Sequence, residues 1–206
     1  MASQQPGPGE ELNFGAETVP RPAATVILLR GGADALEVLL VKRNPAARFM
    51  GGAWVFPGGA VSGEDGSGDP ASRAAALREV EEETGIRLSS REELVPFSRW
   101  ITPPEVKIRF DAWFYLAVVP DGAEPRVDGS EIVDVGWYRP SAALAAGERG
   151  ELLLVFPTIK HLEQLSSFGS VEELLDHARG REIRPVQPNV VGTGELARIV
   201  LPGEVE

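Results

Sequence analysis

The sequence predicts an α+β domain: a mixed sheet with helices packed on it. Two observations lead there. Short apolar runs rich in β-branched and aromatic residues recur along the chain, each closed by Gly or Pro. Helical segments fall among them without regular β-α-β alternation, which argues against a doubly wound parallel sheet.

The elements follow in order. Ala23 to Leu29 and Leu36 to Val41 are apolar strands, and Gly31-Gly32-Ala33-Asp34 between them makes a hairpin turn. Ala53 to Phe56 is a third strand, stopped by Pro57-Gly58-Gly59. A Gly/Ser/Asp-rich loop spans Ala60 to Pro70. Ala71 to Thr84 is a helix, with Asp69 as its cap, Pro70 in its first turn and Gly85 as a left-handed C-cap. Strands follow at Glu93 to Thr102, Ile108 to Val119 and Ile132 to Tyr138. Helices are expected at Ser141 to Ala146, Val155 to Leu165 and Val171 to Ala178. The last stretch, Ile183 to Glu206, has three prolines and one short apolar run, Ala197 to Leu201, and no clear pattern.

Composition bounds the function. A chain of 206 residues with 43% hydrophobic content supports one domain with a sizeable core. The expected layout is a flexible tail over 1–20, a domain over 21–180 and an extension of that domain over 181–206. No apolar run is long enough for a membrane helix, and the first twenty residues lack a signal-peptide core. A net charge of −11 disfavours nucleic-acid binding. The absence of cysteine excludes disulfides, zinc–thiolate sites and a cysteine nucleophile, and fits a cytoplasmic protein. Two histidines, His161 and His177, are too scattered for a histidine metal cluster. No nucleic-acid or membrane partner is expected, and a homodimer is left open.

The chemistry concentrates in Arg78-Glu79-Val80-Glu81-Glu82-Glu83-Thr84-Gly85-Ile86. At about 100° per residue, Glu79, Glu82 and Glu83 share one helix face. They repel each other, near a helix C-terminus where negative charge is already disfavoured. A hard divalent cation, Mg2+ or Mn2+, would relieve this. A solvated charged face is the plainer alternative for such a string taken alone.

Its context decides. Phe56-Pro57-Gly58-Gly59, a loop and this helix together resemble the Nudix hydrolase family, whose motif ends Arg-Glu-aliphatic-x-Glu-Glu-x-Gly-aliphatic. Arg78 to Ile86 match at every defined position. The first half departs: Asp65, or its neighbour Glu64, stands where a glutamate is usual, and twelve residues separate Asp65 from Arg78, five more than the family spacing. The resemblance implies an α/β/α sandwich and hydrolysis of a nucleoside diphosphate linked to another moiety. It implies that Glu79, Glu82 and Glu83 are metal ligands and that Arg78 orients a helix glutamate, with Asp65 in a supporting role. Gly58 and Gly59 allow close backbone approach to a ligand. Metals bridging diphosphate oxygens would offset developing charge and acidify water. Glu79, Glu82 and a distal-loop acid are the catalytic candidates. The loop acids are Glu105, Asp128 and Glu131, and Glu131 is favoured by its place before the strand that holds Trp137.

Upstream, Leu39 to Gly52 resembles the signature preceding the motif in coenzyme A diphosphatases, with Arg43, Arg48 and Gly52 in register and Val41 and Asn44 departing. The resemblance implies that Arg43 and Arg48 bind substrate anions, such as the 3′-phosphate of coenzyme A. Arg99 to Pro104 and Arg109 to Phe114 look like the branch that has an enlarged motif loop and includes peroxisomal members, although this chain ends Gly203-Glu204-Val205-Glu206. The leading expectation is a metal-dependent diphosphatase of coenzyme A or acyl-coenzyme A. The alternatives are an ADP-ribose or dinucleotide diphosphatase, and a non-catalytic nucleotide-sensing module.

Overall fold

The structure is a computed structural model that describes residues 12–13, 15–32, 35–127, 129–192 and 198–204. Its elements are β1 (Arg21–Arg30), β2 (Glu37–Arg43), β3 (Trp54–Val55), β4 (Gly58–Ala60), α1 (Asp69–Thr84), β5 (Val95–Ile101), β6 (Phe110–Val118), β7 (Ile132–Tyr138), α2 (Pro140–Glu148), α3 (Phe156–Leu165), α4 (Val171–Ala178), β8 (Pro185–Val186), β9 (Asn189–Val191) and β10 (Arg198–Val200). Among the described residues, eight strands form one sheet in the order β3-β2-β1-β6-β5-β8, with β4 also paired to β1 and β7 to β2. The sheet is mixed: β1 runs parallel to β6 and antiparallel to β2 and β4.

The alternation of β1 sorts the core into two layers. Ala24, Val26 and Leu28 pack with Ala75, Ala76 and Val80 of α1. Ile27 and Leu29 pack with Ala143, Leu162, Leu165 and Leu174 from α2, α3 and α4. The α/β/α sandwich follows from this period-two split, because each face of the sheet needs its own helical cover.

Helix α1 is set by its ends and by its alanines. Pro70 lies in its first turn, and Gly85 (φ 67°) ends it, donating its N–H to Glu81 at 2.8 Å. The N-cap position belongs to Gly68, not Asp69. Asp69 lies just inside, at the positive end of the helix, and pairs with Arg73 at 3.2 Å. Fully buried Ala75 and Ala76 let the helix lie close to the sheet.

Three local expectations change. The Pro-Gly-Gly turn continues directly into a strand, because Gly58–Ala60 pairs with Ala23–Thr25 of β1. A Cβ on Gly58 would lie 2.6 Å from Thr25 Cα, so only glycine allows this pairing. Within the expected tail, buried Arg109 donates to Glu17 and to the Thr18 carbonyl, which ties Glu17 and Thr18 to the start of β6. The unpatterned C-terminal stretch supplies β8, which extends the main sheet beside β5, and the separate β9–β10 ribbon. Ala33, Asp34 and Ala197 lie outside the described residues; the pairing expected on either side of Ala33 and Asp34 is present, with Leu29 opposite Val38.

His161 of α3 is buried among Phe56, Phe97, Trp100 and Phe114, whose ring centres lie 4.2–6.2 Å away. Its Nδ1–H donates to the Pro157 carbonyl at 2.7 Å, so neutral Nε2 accepts from the Ser98 hydroxyl at 2.6 Å. Burial pushes its pKa down to about 4. The unfolded chain therefore takes up a proton near pH 6.5 that the fold refuses until about pH 4. Stability from this site is complete above pH 6.5 and falls by about 3 kcal/mol as pH drops through that window. The melting-temperature advantage of wild type over His161→Asn is expected to shrink from pH 7.5 to pH 4.5. A constant difference across the range would contradict the neutral, buried histidine.

Candidate active site

The site begins where α1 meets β4. Ala76, Val80 and Glu83 share the buried helix face, so the stripe that packs α1 on the sheet ends in a carboxylate. Glu83 is 4% exposed, and one of its oxygens accepts the Gly58 N–H at 2.9 Å. Burial pushes its pKa up to about 8; the Gly58 bond opposes that rise and repulsion from Glu79 adds to it. One turn back, Glu79 lies against Gly59 so closely that a Cβ there would sit 2.5 Å from both carboxylate oxygens. Burial also raises the Glu79 pKa, against the pull of Arg78, and repulsion from Glu82 and Glu131 adds to it.

Arg78 holds this arrangement in place. Its guanidinium donates to Asp65 at 3.0 and 3.2 Å, to Glu79 at 2.7 Å, to Glu82 at 3.1 Å and to the Ala60 carbonyl at 3.2 Å. The bonds to Arg78 lower the Asp65 pKa to about 2, and Asp65 raises that of Arg78 in turn. Asp65 itself is fixed by the Ser62 N–H and hydroxyl, at 2.7 and 3.0 Å, in a short turn over Gly63–Asp65. The longer loop thus still delivers an acid to Arg78. Glu64, by contrast, is exposed.

A cleft of about 380 Å³ opens from this corner. Gly58, Gly59, Glu79, Glu83, Glu131 and Arg43 line its polar end. Glu131 reaches it because Asn44 pins its loop: the Asn44 side chain donates to the Ser130 carbonyl and its N–H to the Glu131 carbonyl, each at 2.7 Å. Trp100, Phe110, Phe114 and Phe156 line the apolar remainder, with Arg21 over the Phe110 ring at 5.1 Å.

Not every expected residue comes here. The Glu82 side chain is 59% exposed and turns to Arg78, away from the cleft lining. Its helical offset puts it about 100° from Glu83, at the edge of the shared face. Arg48 is exposed and off the lining, whereas Arg43 is on it. Glu105 is off the lining too, its carbonyl taken by the Asn13 N–H, and Asp128 lies outside the described residues. Sequence reasoning missed Arg21, the aromatic lining and the ribbon residues. The Trp100 and Phe110 segments stood out as motifs, but nothing local marked them as lining.

The donor set fits a divalent cation in a particular way. Among the described residues, no three acids or histidines are gathered closely enough to hold an ion alone. Glu79 and Glu83 nevertheless present hard oxygens to one corner of the cleft, and their mutual repulsion leaves them short of positive charge. Mg2+ and Mn2+ suit such a corner, since magnesium is commonly held by one or two carboxylates with substrate phosphates completing its shell.

Acids that favour a cation, an adjacent arginine and an open cleft suit the hydrolysis of phosphoanhydrides. The chain belongs to the Nudix family: the profile described as the NUDIX domain matches residues 19–156. It is a Nudix hydrolase, of the kind that acts on nucleoside diphosphate derivatives and generally uses a divalent metal. A Caenorhabditis elegans relative provisionally named nudix hydrolase 7 is 28% identical over 223 aligned residues, covering 89% of this chain and 73% of its own. A solved NUDIX hydrolase from Alicyclobacillus acidocaldarius is 28% identical, with a TM-score of 0.69 over 78% of this chain and 97% of that one. A MutT NUDIX hydrolase from Burkholderia pseudomallei, also 28% identical, aligns over 71% and 98% with a TM-score of 0.54. Among the described residues, no helix is long and apolar enough to cross a membrane.

Gly59→Ala is expected to push the Glu79 carboxylate off its position. A displacement near 1 Å in such a site costs roughly 100-fold in kcat. Circular dichroism should show the fold unchanged, and wild-type turnover in this variant would refute the packing of Glu79 on Gly59.

Proposed function

We propose that this protein is a Mg2+- or Mn2+-dependent diphosphatase of coenzyme A or acyl-coenzyme A. The observation that carries it is the two-ended cleft: acidic oxygens and Arg43 at one end, an aromatic wall at the other. Coenzyme A carries both matching parts, a diphosphate and a long uncharged arm, beside its 3′-phosphoadenosine. The Leu39 to Gly59 signature supports the same substrate, and Arg43 within it lines the cleft. Arg48, which faces solvent, is left to parts of the substrate outside the cleft.

In this scheme Glu79 and Glu83 hold the metal from the cleft lining, with Glu82 turning from Arg78 to complete the set, and the bound metal would supply charge neutralisation on the diphosphate. Arg78, braced by Asp65, keeps Glu79 oriented and prevents the helix acids from splaying apart. Gly58 and Gly59 leave room for phosphate oxygens beside the strand. Arg43 offers a guanidinium to an anionic oxygen. Glu131, facing the helix acids across the cleft, takes the proton from the attacking water, with Glu79 as the second candidate base.

A hydrolysis screen with Mg2+ and Mn2+ over coenzyme A, acyl-coenzyme A, ADP-ribose, NADH, diadenosine polyphosphates and nucleoside triphosphates tests this. The highest kcat/KM is expected for a coenzyme A compound. A clear preference for ADP-ribose or a dinucleotide would replace that substrate. Glu83→Gln and Glu82→Gln should each lose several kcal/mol of transition-state stabilisation, about a hundredfold or more in kcat, with the melting temperature preserved. Undiminished rates in either variant would remove that glutamate from the metal site.

A further inference from the structure

We infer that the apolar end of the cleft is a subsite for a hydrocarbon chain carried by the substrate, and that β10 walls it, with Ile199 as the residue that sets its preference. The inference rests on the proposed diphosphatase reading for its place in turnover.

The register of the sheet gives the cleft a direction. Gly58 pairs with Thr25 of β1, Thr25 with Phe114 of β6, and Ala112 two residues earlier on β6 with Trp100 of β5. Three strand spacings therefore separate the acidic corner at β4 from Trp100, roughly 14 Å. Val186 of β8 pairs beside Trp100, and the chain runs on through Pro188 into the ribbon. Buried Pro188 and Ile199, 8% exposed, line the cleft with Trp100 and Phe156. Arg198 beside Ile199 is exposed, so β10 turns an apolar residue inward and a charged one out. Glu204 anchors the end of the ribbon, accepting the Leu201 N–H at 3.1 Å and pairing with Lys160 of α3 at 3.6 Å.

The chemistry of the walls selects the ligand. Thr102 lines this end, but its hydroxyl is engaged with the Phe110 main chain at 3.0 and 3.3 Å. The Arg21 charge sits over the outer Phe110 ring. Thr158, also on the lining, is buried, so a nucleobase placed against Trp100, Phe156, Pro188 and Ile199 would meet few side-chain partners for its polar edge atoms. A hydrocarbon chain needs none, and each methylene it buries favours binding about fourfold.

The test uses S-octanoyl-pantetheine, which carries the chain and no phosphate, so it probes the subsite without metal or turnover. Calorimetry on the full chain is expected to show it binding more than tenfold tighter than pantetheine. Ile199→Asp should reduce that ratio to near one, Ile199→Leu should keep it, and Ile199→Ala should lie between. Equal binding of the two probes by wild type, or an undiminished ratio in Ile199→Asp and Ile199→Ala, would overturn the subsite. A second arm compares KM for octanoyl-coenzyme A and coenzyme A with Mg2+. The ratio is expected to favour the octanoyl compound in wild type and to collapse in Ile199→Asp. Probe binding with no hydrolysis of either compound would sink the diphosphatase reading and leave the subsite standing. Hydrolysis of both without a chain preference would do the reverse.

Discussion

The structure depends on how closely α1 lies against β4. Gly59 has no side chain, so the Glu79 carboxylate occupies the volume a Cβ would need. Ala75 and Ala76 bring the helix down to that distance, and Arg78 then locks it by spanning Asp65, Glu79, Glu82 and the Ala60 carbonyl. One guanidinium thus ties the loop, the strand and the helix together. A longer side chain at residue 59, or a shorter one at residue 78, would displace Glu79 while the alanine face of α1 stays on the sheet.

That placement is not what stability alone would choose. Moving the Glu83 pKa from 4.5 to about 8 corresponds to about 5 kcal/mol of disfavoured ionisation. That net rise already includes the Gly58 N–H bond, which favours the charged form by about 1.5–3 kcal/mol and does not offset the burial. Unaided, Glu83 is therefore a neutral acid at pH 7. A cation in the corner would reverse the balance for Glu79 and Glu83 together, because it would answer both the burial and the mutual repulsion.

The acidic half of the site was legible because its information is local. Arg78 to Ile86 is one helical stretch, and the glycines at 58 and 59 sit in the strand it packs on. Even the expanded loop kept its readable part, since Asp65 needs only to reach Arg78 and loop length is thermodynamically cheap. Glu82 shows the limit of a helical wheel: sharing a face within 100° does not say which of three acids the sheet will cover. Arg48 shows another, since register with a motif does not fix which way a turn presents its side chain. The aromatic wall was illegible for a different reason. Trp100, Phe110, Phe156 and Ile199 come from four separated segments, brought to one lining by the pairing of β5 with β6, by α3 and by the ribbon outside the main sheet.

The same contrast explains how the cleft divides its work. The acidic corner is built from glycines, a helix end and a braced arginine, where a change of one atom is felt by several partners. The opposite end, about three strands away, is built from single apolar side chains on β5, β6, α3 and the C-terminal ribbon. Each of those can change size without disturbing Arg78 or the pairing of β4 with β1. On the proposed reading, substrate preference would vary at the ribbon while the acidic corner stays constant. The ribbon suits that role because β9 and β10 pair only with each other among the described residues. An element outside the main sheet can be reshaped without altering a single register that the acids depend on.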